Sequence, residues 1–393
     1  MTGLRVAIVT RRFWPLTGST ETVLAHLAAE LTARGCPTTI LTARWRPHWP
    51  AQSCCRNVPV SWIAPPPAGY WNQRRYLRAL ARWLEDYGRL LDVVYVSSLG
   101  DEARVAVRTV APQTAVVLRP RRAGRSGDCF RQIENAAGRR IKDACLRASA
   151  FLAATPLLKR ELEAAGYPRD RIHEVADGLP AAPPRTPALK QAARAMLADT
   201  SVLLQVPSGA PLAVAAGRLE PGHGLEQLVE AWKEVVQLWP GACLWLVGEA
   251  ANCHALQQRI DQLRLTARVV LVGQFDALEG VLAAADMWLA PSSEGDSTAV
   301  AEAMAAGLPV LAADVAAHRW LLRDGLEGLL VPCDDTAAWV AAILRVLHQS
   351  DWSARLGAAA RARAATQFSL ARMVDEHLTL FQRVIQGERE DLY

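Results

Sequence analysis

The sequence predicts an α/β protein of two Rossmann-like, doubly wound domains facing a central cleft, and three observations carry that prediction. A chain of 393 residues exceeds what one compact core usually holds, so length favours two domains. Short apolar runs alternate with helical patterns from end to end, which implies parallel sheets joined by crossover helices. Several of the runs are apolar throughout, as strands covered on both faces are.

The elements follow in order. Leu4 to Thr10 reads as a strand, Glu21 to Arg34 as a helix and Thr38 to Thr42 as a second strand after Gly35 and Pro37, which together make one βαβ unit. Asp92 to Ser97, Ala115 to Leu118, Phe151 to Ala154 and Ile172 to Val175 are further strands, with helices at Arg139 to Arg147 and Leu157 to Ala165. The second half repeats the pattern with strands at Leu212 to Ala216, Ala242 to Val247, Val269 to Val272, Met287 to Ala290, Val310 to Ala313 and Leu329 to Val331. Between the halves, Pro180 to Pro187 holds four closely spaced prolines and disfavours regular structure, so it marks the interdomain break. The expected organisation is a domain over 1–180, a linker over 181–207, a second domain over 208–367 and a terminal helix over 368–393.

Composition narrows the class. Half of the residues are hydrophobic and a fifth charged, the profile of a folded enzyme and not of a disordered or fibrous chain. No apolar run approaches the ~20 residues of a membrane span, and the first strand is too short for a signal peptide, so a cytoplasmic location is expected. Eight cysteines without a CxxC spacing suit reduced thiols and give no metal framework. Residues 1–180 hold 27 Lys or Arg against 15 Asp or Glu, whereas the rest hold 17 against 24. The basic half suits nucleic acid, an anionic membrane surface or a phosphorylated substrate, and charge alone does not choose among them.

The segment Pro291 to Pro309 is the most informative. Ser297 is expected to cap a helix starting at Thr298, whose free N–H groups would make a phosphate site at the carboxyl end of the preceding strand. Glu294 and Glu302, separated by seven residues, bracket that helix end and suit the hydroxyls of a sugar and a ribose. Donors for phosphate beside acceptors for hydroxyls read as a site for a sugar-diphosphate nucleoside.

This E-x7-E segment resembles the retaining glycosyltransferases of family 4, which have the GT-B fold. The resemblance implies that Glu302 binds the ribose, that Glu294 contacts the transferred sugar and that Ser297 and Thr298 cap the phosphates. Ala216 to Leu225 resembles the family's G-R-L-x-x-x-K-G, which gives Arg218 the diphosphate and puts His223 where the lysine usually stands. Gly248 and the pair Gln274 and Phe275 match strand ends that approach the base. Phe13 to Glu21 resembles the F-x-P-x-x-G-G-x-E loop over the phosphates, with Gly18 matching and Ser19 replacing the second glycine.

Other positions depart from the family. The H-x-H strand end is Tyr95-Val96-Ser97, the His-Gly is replaced by Leu118-Arg119-Pro120-Arg121-Arg122, and the N-G is Asp177-Gly178. Arg119, Arg121, Arg122 and Arg125 are candidates to bind an anionic acceptor or the donor phosphates, and Asp128 to contact the sugar. Trp45, Trp49, Trp62, Trp71 and Tyr76, interleaved with Arg44, Arg46, Arg74 and Arg75, form a candidate interfacial patch for a lipid-linked acceptor, with packing expected for at least half of them.

The resemblance thus implies transfer of a hexose from a nucleoside-diphosphate sugar to a glycan or lipid-linked acceptor with retention, Glu294 and Arg218 being catalytic. No metal, cofactor or nucleic-acid partner is expected, and peripheral membrane contact through the basic domain is. The substitutions at Ser19, Tyr95, Ser97 and His223 leave open a non-catalytic sugar-nucleotide-binding subunit. Another GT-B reaction, such as epimerisation or phosphorolysis, is disfavoured by the E-x7-E segment.

Overall fold

A computed structural model describes residues 3–16, 18–124, 126–219, 222–248, 253–275, 278–293 and 297–390, with backbone alone at 388–390. The chain divides into two compact units, Met1–Pro180 with Ser369–Tyr393, and Ala181–Phe368.

The first unit is built on strands β1 (Val6–Val9), β2 (Thr38–Ala43), β3 (Gln52–Cys55), β4 (Val58–Ala64), β5 (Val93–Val96), β6 (Ala115–Leu118), β7 (Ala150–Ala153) and β8 (Ile172–Glu174). They form one sheet in the order β3-β4-β2-β1-β5-β6-β7-β8, parallel except where β3 pairs antiparallel with β4. Alternate residues of the central strands feed two cores. Val6, Ile8, Tyr95 and Val117 pack with Leu24, Leu27 and Leu31 of the helix Ser19–Ala33. Ala7, Val9, Val94 and Val116 pack on the opposite face with Leu80, Leu84 and Leu162.

The C-terminal helix Leu370–Glu390 belongs to this unit because its apolar residues Met373, Val374, Leu380 and Phe381 complete the first of those cores. Its entry is fixed at Gly178, where a Cβ would lie 2.6 Å from the Ser369 carbonyl oxygen. The Leu370 N–H donates to the Leu179 carbonyl at 2.8 Å beside that crossing.

The second unit holds β9 (Leu212–Ala216), β10 (Cys243–Val247), β11 (Val269–Gly273), β12 (Met287–Ala290), β13 (Val310–Ala313) and β14 (Leu329–Val331) in the all-parallel order β11-β10-β9-β12-β13-β14. Residues 181–207, expected as a linker, instead carry the helix Pro187–Thr200, capped by Thr186 through the Leu189 N–H, and are part of this unit. The reason is electrostatic. Asp286, just before β12, receives Lys190, Arg194 at 2.7 Å and Arg185 at 3.5 Å, and also accepts the Leu212 N–H at 2.9 Å. Among the described residues no helix is long and apolar enough to cross a membrane.

Candidate functional site

Doubly wound sheets bind ligands beyond the carboxyl ends of the strands, where the strand order reverses. In the second unit that point lies between β9 and β12, which are neighbours although two strands separate them along the chain.

The edge is lined with glycine. Gly217 follows β9, Gly248 follows β10 and Gly273 closes β11. The Gly217 N–H donates to the Val247 carbonyl and the Gly248 N–H to the Gly273 carbonyl, both at 2.9 Å. A Cβ on residue 248 would stand 1.9 Å from the Gly217 carbonyl oxygen, so these strand ends meet backbone to backbone. Bare backbone here leaves room for a ligand that a side chain would displace.

The loops on either side of the reversal also touch. Gly224, left-handed at φ 76°, ends the loop after β9 and precedes the helix Leu225–Leu238. A Cβ there would lie 2.4 Å from the carbonyl oxygen of Pro291, the first residue after β12. The first loop carries Arg218, exposed, and His223, half-buried. The second leads into the helix Ser297–Ala305, with Ser297, Thr298 and Glu302 all half-buried. Ser297 is thus the first helical residue and not the cap before it. The reversal therefore brings together one exposed guanidinium, a helix N-terminus and a carboxylate on that helix. Gln274, exposed, and Phe275, half-buried, follow β11 on the flank. Glu294 and Arg125 lie outside the described residues.

The first unit reverses its order between β1 and β5. Gly18, in the loop after β1, is extended at φ 175°, so its backbone does not call for glycine. A Cβ there would meet the far end of one side chain, the Glu21 Oε2 at 2.3 Å. Ser19, exposed, opens the helix, and the buried Glu21 carboxylate folds back over Gly18 and meets the Arg121 guanidinium at 3.4 Å. Glu21 and Arg121 are thus the supports of this loop. The signal for Glu21 was its place at the end of the Phe13 to Glu21 motif.

Arg119 is 4% exposed and grips both oxygens of Asp177, at 2.7 and 2.6 Å, so it is committed inside the unit and does not form an open anion site. Its Nη1 and the Ser97 Oγ have no hydrogen-bond partner among the described residues. Tyr95 is buried, with its hydroxyl 3.5 Å from His377 Nε2. Burial holds the His377 imidazole down at about 4 and pushes the Tyr95 phenol up. Asp128 accepts the backbone N–H of Arg121 at 2.8 Å and of Leu99 at 3.3 Å, which ties two loops at the carboxyl edge.

The expected aromatic patch is mostly packing. Trp62 and Tyr76 are buried, Trp49 stacks on Trp62 at 5.6 Å, and Trp45 donates its indole N–H to the Arg11 carbonyl. Only Trp71 of the five is exposed, at 77%. Among the described residues no three metal-ligating side chains gather.

Residues 210–349 match the family described as Glycosyl transferases group 1, and residues 20–181 match Glycosyltransferase Family 4. The D-inositol 3-phosphate glycosyltransferase of Nocardia farcinica is 30% identical over 377 residues, covering 88% of this chain and 81% of that protein. The lipopolysaccharide core biosynthesis glycosyltransferase LpsE of Rhizobium meliloti is 30% identical over 178 residues, covering 45% of this chain and 51% of that protein. The chain spans about half the length of several such curated relatives. The structure of Anabaena HepE in complex with UDP superposes with a TM-score of 0.74 at 16% identity, covering 97% of this chain and 100% of that one. That likeness extends the fold, GT-B, over the whole chain. Two family descriptions that between them span both units, and one relative aligned over most of its length, lead to a single conclusion: the chain belongs to glycosyltransferase family 4.

Proposed function

We propose that the chain transfers a hexose from a nucleoside-diphosphate sugar to a glycan or lipid-linked acceptor with retention of configuration. The observation that carries the reading is the glycine-lined edge of the second sheet, where Gly217 and Gly248 meet and the Arg218 loop abuts the loop leading to the Ser297 helix. Backbone N–H groups and a permanent cation suit a diphosphate, and Glu302 suits the ribose hydroxyls. A UDP complex of the Anabaena relative and the lipopolysaccharide assignment of the Rhizobium relative are in keeping with a nucleotide-sugar donor and an envelope glycan.

In this reading the bond from the anomeric carbon to the β-phosphate oxygen breaks and a bond to the acceptor oxygen forms. The acceptor's proton passes to the departing phosphate. Negative charge grows on that phosphate as the sugar becomes oxocarbenium-like, and Arg218 and the N–H groups at Ser297 and Thr298 stabilise it. Glu294 holds the sugar. No metal or cofactor enters the scheme, and the enzyme works in the cytoplasm or on the membrane's inner face.

Calorimetric binding of UDP, GDP, ADP and their sugar conjugates tests this, with Glu302→Ala as control. Binding of one nucleotide, lost in the variant, is expected; no binding of any would remove the donor site. A second reading, a non-catalytic sugar-nucleotide-binding subunit, is favoured by His223 in the lysine position and by Tyr95 packed away against His377. Donor binding with neither hydrolysis nor transfer would select it.

A further inference from the structure

Three cations share one carboxylate at the start of the second sheet. Asp286 immediately precedes β12 and accepts the N–H of Leu212, the first residue of β9, at 2.9 Å, so it marks the amino ends of both strands. The edge lined by Gly217 and Gly248 lies at the other end, about 16 Å away along the five residues of β9. Lys190 and Arg185 both reach Asp286 Oδ1, Arg185 at 3.5 Å, and Arg194 reaches Oδ2 at 2.7 Å. With the Leu212 N–H, four groups converge on a carboxylate that has about four lone-pair sites. It has nothing left for a further donor.

The cations are not all satisfied in turn. Arg194 is, since its Nε and Nη1 donate to the Ala284 and Ala210 carbonyls, both at 3.0 Å. Arg185 donates from Nη2 to the Ala285 carbonyl, but among the described residues its Nη1 is buried without a partner. Lys190 has three N–H groups, and among the described residues Asp286 alone takes one. Carbonyls satisfy donors without cancelling charge, so three cations against one carboxylate leave two positive charges over. Burial, with Arg194 close by, holds the Arg185 guanidinium below its usual value in spite of Asp286. Lys190 and Arg194 also stand at i and i+4 of one helix, where like charges repel. Arg11 with Glu102 and Arg119 with Asp177, by contrast, match one to one.

The excess selects the kind of ligand. The Arg185 and Lys190 side chains are each about a quarter exposed, and both reach the same carboxylate oxygen, so a single tetrahedral oxyanion can span them. A guanidinium beside an ammonium suits phosphate, whose charge of about −1.5 to −2 near pH 7 matches the excess. A singly charged carboxylate ligand leaves half of it unmet.

We infer that Arg185 and Lys190 form an anion site for a phosphate group, free or carried on a small phosphomonoester, at the amino edge of the second sheet and apart from the donor site. The inference goes beyond the proposed function and does not rest on it.

Scanning calorimetry of the full chain in inorganic phosphate, glycerol phosphate and chloride, at one ionic strength, tests the site. With a Kd of about 1 mM, about 10 mM phosphate should raise the second unit's transition by roughly 3–6 °C and leave the first unit's in place. Arg185→Gln with Lys190→Gln should lose that shift while keeping the pair of Arg194 with Asp286, and Arg218→Ala, at the opposite edge, should retain it. Asp286→Ala should recover in phosphate part of the melting temperature it loses in chloride, because the oxyanion then faces all three cations. A larger shift with glycerol phosphate identifies a phosphomonoester as the occupant, and an equal or smaller one identifies the free ion. No shift over chloride, the same shift in the double variant, or a shift abolished by Arg218→Ala alone would each overturn the inference, the last by placing the phosphate at the donor site.

Discussion

Replacing Gly224 by alanine tests whether the two loops at the strand-order reversal hold each other in place. Residue 224 carries φ 76°, and left-handed backbone costs a residue with a Cβ about 1–2 kcal/mol. A second term comes from space. The new methyl would stand 2.4 Å from the Pro291 oxygen and 3.0 Å from its carbonyl carbon, backbone atoms that yield only if the loop after β12 retreats by about 1 Å. Overpacking of that kind costs about 1–3 kcal/mol, so the total is about 2–5 kcal/mol. Gly222 supplies the control, because it has φ 85° and, among the described residues, nothing within 4 Å of its Cβ position. Its alanine variant carries the backbone term alone.

Scanning calorimetry reads the comparison. A unit of this size loses about 2–4 °C per kcal/mol, so Gly222→Ala should lower the second unit's transition by roughly 2–8 °C and Gly224→Ala by roughly 4–20 °C. Function separates them further, since a 1 Å displacement of a positioning loop costs about a hundredfold in turnover, expected for Gly224→Ala only. Equal melting and equal donor binding in the two variants would refute the claim that the Gly224 and Pro291 loops form one site.

Three other outcomes follow from the described geometry. Asp286→Ala leaves Arg185, Lys190 and Arg194 without their shared carboxylate; a loss of about 3 kcal/mol is expected, seen as a drop of roughly 6–12 °C in the second unit's transition. Arg121→Ala frees Glu21 from its ion pair and should cost up to about 1 kcal/mol, seen as a drop of roughly 2–4 °C in the first unit's transition, Arg121→Lys recovering part; unchanged melting would contradict the supporting role. His377 titrates at about 4 when folded against 6.5 unfolded, so the unfolded chain takes up the proton first and the first unit loses stability as pH falls from about 6.5 to about 4. That loss amounts to about 3 kcal/mol, and acid melts of His377→Leu should lack it.

The sheets were legible because buried parallel strands are written locally, as apolar runs such as Val93–Val96 and Met287–Ala290. Elements whose reason lies elsewhere in the chain were not. The hairpin of β3 and β4 turns through Arg56 and Asn57, both left-handed, without the Asn-Gly pair that announces such turns. The helix Pro187–Thr200 hides behind a proline-rich approach, and what fastens it is Asp286, about a hundred residues on. At the candidate sites the spacing of Arg218, Ser297 and Glu302 could be read directly. That Gly217 and Gly248 touch could not, because each belongs to a different strand end. The tryptophans misled for the same reason: Trp62 stands between Ser61 and Ile63 and Trp71 between Tyr70 and Asn72, and only packing decides that one is buried and the other exposed.

Arg119 and Asp177 bear on whether the departures from the family's pattern signal decay. One stands where a His-Gly is usual and the other where an Asn-Gly is usual, 58 residues apart, and read separately they count as two losses. In the structure they are partners, joined by two short hydrogen bonds, with the Arg119 side chain 5% exposed. Without Asp177 the buried Arg119 guanidinium would lose its carboxylate, which is strongly destabilising, so Arg119 at this position depends on its partner. The two are one coupled change that keeps the crossing at Gly178 tied to the sheet, where Leu370 and Ser369 press on it. A matched pair of this kind is one structural feature of the edge and not two separate losses.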